Sequence, residues 1–249
     1  METARFVETL DAEGQLLADA AERAGTDAKV PTCPGWQVGD LVRHTGMVHR
    51  WATAHVAERR MTPNPPGSPP DLDGDVLLTW FREGHRILVD TLASAPPDLE
   101  CWTFLPAPSA LGFWTRRQAH ETAVHRVDAE SALGTARTPL DPDFATDGID
   151  EILLGFHART RSQVRTDEPR VLRVRATDRD EALWTVRLTS EPPAAERVTS
   201  QADRSVQEAD CEVSGTAAEL YLALWNRQPF PGVSGDPALA ALWQEKSAI

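Results

Sequence analysis

Apolar residues recur every three or four positions through most of the first half of the chain, which is the spacing of one buried face of an α-helix. Segments rich in proline, glycine and aspartate interrupt this pattern and mark the ends of helices. The pattern predicts four helices, over residues 3–24, 38–60, 75–95 and 114–133. Long helices joined by irregular connections favour a helical bundle.

The pattern changes near residue 135, where a linker rich in proline and aspartate begins. Residues 170–178 and 182–190 alternate apolar and polar positions and predict a β-hairpin. The other elements predicted here are helices over 147–162, 216–226 and 236–247 and a strand over 206–213. The fold prediction is therefore a helical bundle in residues 1–138 and a smaller α+β domain in residues 139–249.

Candidate chemistry concentrates in the fourth predicted helix. Glu121 and His125 are four residues apart, so they lie roughly 40° apart around a helix and point the same way. His120 is about 140° from His125 and cannot bind the same ion from a regular helix. The segment thus differs from the zinc-binding pattern H-E-x-x-H. Glu121 and His125 can share an ion, and an open zinc site then needs a third ligand from elsewhere.

The second predicted helix offers that third ligand. His44 belongs to an otherwise mainly apolar stripe at helical spacing, where an imidazole needs a hydrogen-bond partner or a metal. Asp40 could hold the second ring nitrogen of His44. His49 lies about 140° away around the helix and is expected to face solvent. Taken alone, Glu121 and His125 could instead be a surface ion pair, and His44 a core histidine.

Two further residues are weaker candidates for catalysis. Asp128 could orient His125 or Arg126, or it could simply bind Arg117 or Arg43. Arg227 follows an apolar helix and could hold a substrate carboxylate. The simpler alternative for Arg227 is a charge that satisfies carbonyl groups at the helix C-terminus.

Composition narrows the class of protein. The chain has 249 residues, 41% hydrophobic and 25% charged, as in soluble globular proteins. It has no apolar run long enough to span a bilayer and no secretory signal, so we expect a cytoplasmic protein without membrane contact. The net charge of −13 argues against nucleic-acid binding. Either a monomer or a homodimer is compatible with the sequence.

Residue usage and absent motifs add to this picture. Three widely separated cysteines without a CxxC pair argue against a disulfide framework. Arginine outnumbers lysine 23 to 2, as in proteins from GC-rich genomes such as those of actinobacteria. Motifs for nucleotide binding and serine hydrolysis, G-x-G-x-x-G, Walker A and G-x-S-x-G, do not occur in the sequence.

Three segments together resemble the mycothiol-dependent maleylpyruvate isomerase family of actinobacteria. They are VPTCPGWQVGDLVRHTGMVHRW, AHETAVHRVDAE and VSGTAAELYLALWNR. The resemblance covers nearly the whole chain and implies a DinB-like four-helix bundle followed by a sterol-carrier-like α+β domain. It also implies a divalent metal, usually zinc, bound by His44, Glu121 and His125, the same set that helix spacing selects.

The resemblance further implies mycothiol as co-substrate, with its sulfur at the metal, where the cation stabilises the thiolate. The thiolate would attack a small electrophile. Addition, rotation and elimination would give cis–trans isomerisation, whereas addition or displacement alone would give S-transfer. Two other functions stay open: a hydrolase that uses metal-bound water, and a non-enzymatic protein that binds a small ligand and has a structural metal.

Overall fold

The structure is a computed structural model that describes residues 1–198 and 209–248. Within these residues it contains seven α-helices and one five-stranded β-sheet. The chain divides into two compact units, Met1–Thr138 and Pro139–Ile249. The first unit is helical and the second is α+β, which confirms the predicted fold class.

Four helices form the N-terminal unit, and each was predicted. They are α1 (Thr3–Ala24), α2 (Val38–Ala57), α3 (Gly74–Ser94) and α4 (Ala110–Ser131). Helix α4 begins four residues earlier than predicted because the Ser109 side chain accepts a hydrogen bond from the main chain of Gly112 and so caps the helix. Helix α1 packs on α3 and α4, and α2 also packs on α3 and α4.

Helix α4 is buried on all sides, although many of its residues are polar. Buried polar groups stabilise a fold only when they have hydrogen-bond partners. Arg126 is fully buried, and its guanidinium donates to Glu13 on α1 at 2.6 Å and to Glu130 at 2.8 Å. Arg126 and Glu130 also bind Thr138, the last residue of the unit. The carbonyl of Thr138 accepts from Arg126, and its hydroxyl donates to Glu130. This ion cluster joins α1 and the segment after α4 to the centre of the bundle.

The C-terminal unit begins with α5 (Pro142–Asp150), which continues as a π-helical segment (Glu151–Phe156). The predicted helix over 147–162 therefore begins and ends earlier. Asp141 and Pro142 set the start, because the Asp141 carboxylate caps the first turn and proline is favoured at the first helical position.

The sheet has the strand order β3-β2-β1-β4-β5, with β1 and β4 parallel and all other pairs antiparallel. Its strands are β1 (Arg170–Ala176), β2 (Leu183–Leu188), β3 (Ala194–Arg197), β4 (Cys211–Gly215) and β5 (Gly232–Gly235). The described part of this unit also contains two more helices, α6 (Ala217–Leu224) and α7 (Pro237–Lys246).

The structure confirms the predicted hairpin, which is formed by β1 and β2. It adds β3 and β5, which have four residues each and no buried alternation that a sequence pattern could reveal. The predicted strand over 206–213 corresponds in part to β4, and residues 206–208 lie outside the described residues. No helix in the described part of the chain is both long enough and apolar enough to cross a bilayer.

The ion cluster around Arg126 predicts a large effect on stability. Replacing Arg126 by Ala leaves the buried carboxylates of Glu13 and Glu130 without their cation, which costs about 3–5 kcal/mol. Denaturant unfolding of the full chain should show the loss. The matched control is Arg86→Ala, which breaks an exposed i,i+4 pair with Asp90 and should leave the unfolding free energy nearly unchanged. Equal effects of the two substitutions would contradict the prediction.

Candidate metal centre

Three side chains from two helices meet at one point in the N-terminal unit. His44 comes from α2, and Glu121 and His125 come from α4. The Nε2 atoms of His44 and His125 each lie 3.3 Å from Oε1 of Glu121. One potential ligand atom from each residue lies within 4.8 Å of the other two. Because the two helices pack side by side, His44 reaches the carboxylate of Glu121, which is 77 positions away in the sequence.

The donor set suits zinc in both chemistry and spacing. Two imidazole nitrogens and one carboxylate oxygen are among the commonest ligands of catalytic zinc. Donor atoms around a tetrahedral zinc ion, with bonds of about 2.0–2.2 Å, are separated by roughly 3.3–3.5 Å. Both Nε2 atoms lie 3.3 Å from the carboxylate oxygen of Glu121, which matches the separation of two donors around one zinc ion.

Opposite charges dominate the electrostatics of the cluster. Burial lowers the pKa of His125, but hydrogen bonds and charge attraction from Asp128 and Glu121 outweigh it and raise the pKa to about 9. Burial raises the pKa of Glu121, but hydrogen bonds from His125 and His44 and the charge of Arg117 hold it well below its usual range. At neutral pH these shifts favour an ionised Glu121 carboxylate and a protonated His125 ring.

Asp128 holds the far side of the His125 ring. Its carboxylate is fully buried, with Oδ2 lying 2.9 Å from Nδ1 of His125 and Oδ1 accepting a hydrogen bond from Thr32 at 2.6 Å. Of the partners considered for Asp128, the structure places it against His125, whereas Arg126 binds Glu13 and Glu130. A proton on Nδ1 that is donated to Asp128 leaves Nε2 to face Glu121 and His44.

Arg117 holds the second oxygen of Glu121. Its guanidinium is almost completely buried and lies 3.1 Å from Oε2 of Glu121, one helical turn away. Because Oε2 is engaged by Arg117, Oε1 is the oxygen that faces both histidines. The i,i+4 spacing of Arg117 and Glu121 was visible in the sequence and could have indicated this role.

Trp36 covers the two histidine rings. Its ring centroid lies 5.2 Å from that of His44 and 6.3 Å from that of His125, on which it stacks at 18°. The loop that carries Trp36 reverses at Gly35, whose φ of +91° is readily adopted by glycine. The sequence pattern gives no signal that Trp36 contacts the candidate ligands.

Two expectations for α2 are wrong. His49 is fully buried rather than exposed, and its Nε2 lies 2.8 Å from the Thr122 hydroxyl. Because α2 packs on both α3 and α4, it buries two faces, and a single-stripe pattern cannot anticipate this. Asp40 accepts a hydrogen bond from the main chain of Gln37 and pairs with Arg43, so it caps the helix instead of holding His44.

The remaining histidines lie outside the three-residue cluster. His120 is buried beside Phe6, and His55 is buried between the rings of Trp102 and Trp114.

Arg227 donates to the main-chain carbonyl of Trp225 at 2.7 Å, which is the contact expected of a charge at a helix C-terminus. Its role toward a substrate carboxylate stays a prediction.

Comparisons with known proteins agree with the division of the chain. The family model described as the mycothiol maleylpyruvate isomerase N-terminal domain matches residues 7–130, and the MDMPI C-terminal domain model matches residues 143–242. Among curated proteins, no sequence matches the chain.

Two solved structures share the fold. The crystal structure of the mycothiol-dependent maleylpyruvate isomerase has a TM-score of 0.59 and 12% identity, and the similarity covers 94% of this chain and 92% of that chain. A mutant of that enzyme has a TM-score of 0.60 and 12% identity, with coverage of 92% and 90%. Since the two family models occur in order and together span most of the sequence, the chain belongs to the mycothiol-dependent maleylpyruvate isomerase family, a family of enzymes.

Proposed function

We propose that this protein is a zinc- and mycothiol-dependent enzyme that activates the thiol for cis–trans isomerisation of, or S-transfer to, a small electrophilic substrate. The observation that carries the proposal is the position of two imidazole Nε2 atoms, each 3.3 Å from the same carboxylate oxygen. Membership of the mycothiol-dependent maleylpyruvate isomerase family supports the choice of thiol. The physiological electrophile is left open between the two reaction types.

In this proposal His44, Glu121 and His125 hold the zinc ion. A bound zinc ion supplies positive charge that stabilises a thiolate at neutral pH. Asp128 fixes the ring of His125, and Arg117 fixes the carboxylate of Glu121, so the ligands need little rearrangement to bind.

The number of candidate protein ligands helps to separate an enzyme from a protein with a structural metal. Within residues 1–198 and 209–248, the candidate cluster consists of three side chains, whereas a structural zinc site usually has four protein ligands. Three ligands leave one position for a thiol or for water. The same donor set could therefore serve a hydrolase, and a requirement for mycothiol separates the two functions.

The first prediction concerns metal content. His44→Ala and His125→Ala should each remove most of the zinc from the purified protein, because each deletes one of three protein ligands. Elemental analysis measures the zinc, and circular dichroism verifies the fold. His120→Gln is the matched control on the same helix and should retain zinc. Equal zinc in the wild type and in both alanine variants would refute the assignment.

The second prediction concerns protons. Because the pKa of His125 is raised to about 9, the metal-free ring carries a proton on Nε2 at pH 7.5 and must lose it to bind zinc. His125 should release about one proton on zinc binding at pH 7.5, in addition to any proton lost by a zinc-bound water, and the contribution of His125 should fall as the pH rises through 9. Calorimetric titrations in buffers of different ionisation enthalpy measure this number. Absence of proton release at pH 7.5 would contradict the raised pKa.

The third prediction concerns the thiol. Incubation with mycothiol and a panel of small electrophiles, including maleylpyruvate, should give isomerised products or S-conjugates that mass spectrometry detects. Omission of mycothiol should abolish turnover, and His125→Ala should reduce it to background. Hydrolysis that proceeds equally well without any thiol would favour the hydrolase alternative.

A further inference from the structure

The loop between α1 and α2 also contacts the candidate metal centre, although none of its residues is a candidate ligand. Residues 30–36 are closed by a main-chain hydrogen bond from Val30 to the carbonyl of Trp36, at 3.0 Å. Trp36 in turn donates to the carbonyl of Cys33, also at 3.0 Å. These bonds hold the loop in one conformation, in which Thr32 lies against α4 and contacts Asp128 and Ser131.

The neighbouring hydrogen bonds determine which group accepts the proton of the Thr32 hydroxyl. Its oxygen lies 2.6 Å from Oδ1 of Asp128 and 3.1 Å from the hydroxyl of Ser131. The Ser131 hydroxyl donates its own proton to the main-chain carbonyl of Asp128 at 2.6 Å. An ionised carboxylate can only accept hydrogen bonds, so the Thr32 proton is donated to Asp128.

The Thr32 hydroxyl donates to the carboxylate of Asp128, which is fully buried. A fully buried carboxylate is costly unless its oxygens accept hydrogen bonds. Thr32 satisfies Oδ1 of Asp128, while Oδ2 accepts from Nδ1 of His125 at 2.9 Å. The two bonds fix the plane of the carboxylate and hence the ring of His125, whose Nε2 then faces Glu121.

We propose that Thr32 is a positioning residue for the metal centre: through Asp128 it holds His125 with its Nδ1 proton directed away from the site, and it thereby sets the affinity for zinc. The zinc part of this inference rests on the proposed function. Thr32 lies 96 positions from Asp128 in the sequence, and the loop that carries it also carries Trp36, which covers the imidazole rings.

Substitutions at residue 32 test the inference with zinc alone as the probe. Thr32→Val keeps the shape of the side chain and removes the hydroxyl, and it should weaken zinc binding by about tenfold, as expected for loss of a group that orients a ligand. Thr32→Ala should show the same loss and serves as a second variant if valine impairs folding. Thr32→Ser retains the hydroxyl and should bind zinc almost as tightly as the wild type.

The control is Thr146→Val in the C-terminal unit, which removes a hydroxyl that is bonded to the main-chain carbonyl of Pro142. It should leave zinc affinity unchanged. Affinity is measured on the full chain by competition with a chromogenic chelator, and thermal unfolding verifies that each variant is folded.

A metal-free measurement separates failure of this inference from failure of the proposed function. Proton NMR of histidine-labelled protein follows exchange of the Nδ1 proton of His125 with water, with His125→Gln identifying the signal. Exchange should be slow in the wild type and in Thr32→Ser, and faster in Thr32→Val.

If the wild type binds zinc and a folded Thr32→Val binds it equally well, Thr32 does not position the centre and the proposed function is unaffected. If the wild type binds no zinc through His44, Glu121 and His125, the proposed function fails. The exchange rate then decides the role of Thr32: faster exchange in Thr32→Val supports the positioning role, and unchanged exchange overturns it.

Discussion

The candidate site depends on the packing of α2 against α4. This contact brings the His44 imidazole to the carboxylate of Glu121, and the 3.3 Å separation is possible only because the two helices lie side by side. His125, one helical turn beyond Glu121, then faces the same point. Without this pairing, α4 would carry a carboxylate and an imidazole, but it would have no third ligand.

Placing such a site inside a helical bundle requires many buried polar groups to be paired. Two of the described networks involve charged residues of α4. One network joins His125, Asp128 and Thr32 at the candidate metal centre. The other joins Arg126 to Glu13 and Glu130 on a different face of the helix and stabilises the bundle. Adjacent residues, His125 and Arg126, thus belong to different networks, since neighbouring positions on a helix point about 100° apart.

The candidate ligands are held by side chains that lie outside the three-residue cluster. Arg117 engages one oxygen of Glu121, and Asp128 engages one nitrogen of His125. These contacts leave Oε1 of Glu121 and Nε2 of His125 to face the cluster. In the proposed function, this arrangement would limit the rearrangement needed to bind a cation, which is the usual function of groups that surround metal ligands.

The sequence by itself determined the helical bundle, the α+β character of the second half, the hairpin of β1 and β2, and the shared direction of Glu121 and His125. These features follow from local periodicity, which depends only on residues close together in the chain. Only the tertiary structure decided that His49 is buried and that Thr32 binds Asp128. It also decided that Trp36 covers the histidine rings. These contacts join residues that are far apart in the sequence, and the packing of helices against one another and against a connecting loop sets them, which no local pattern encodes.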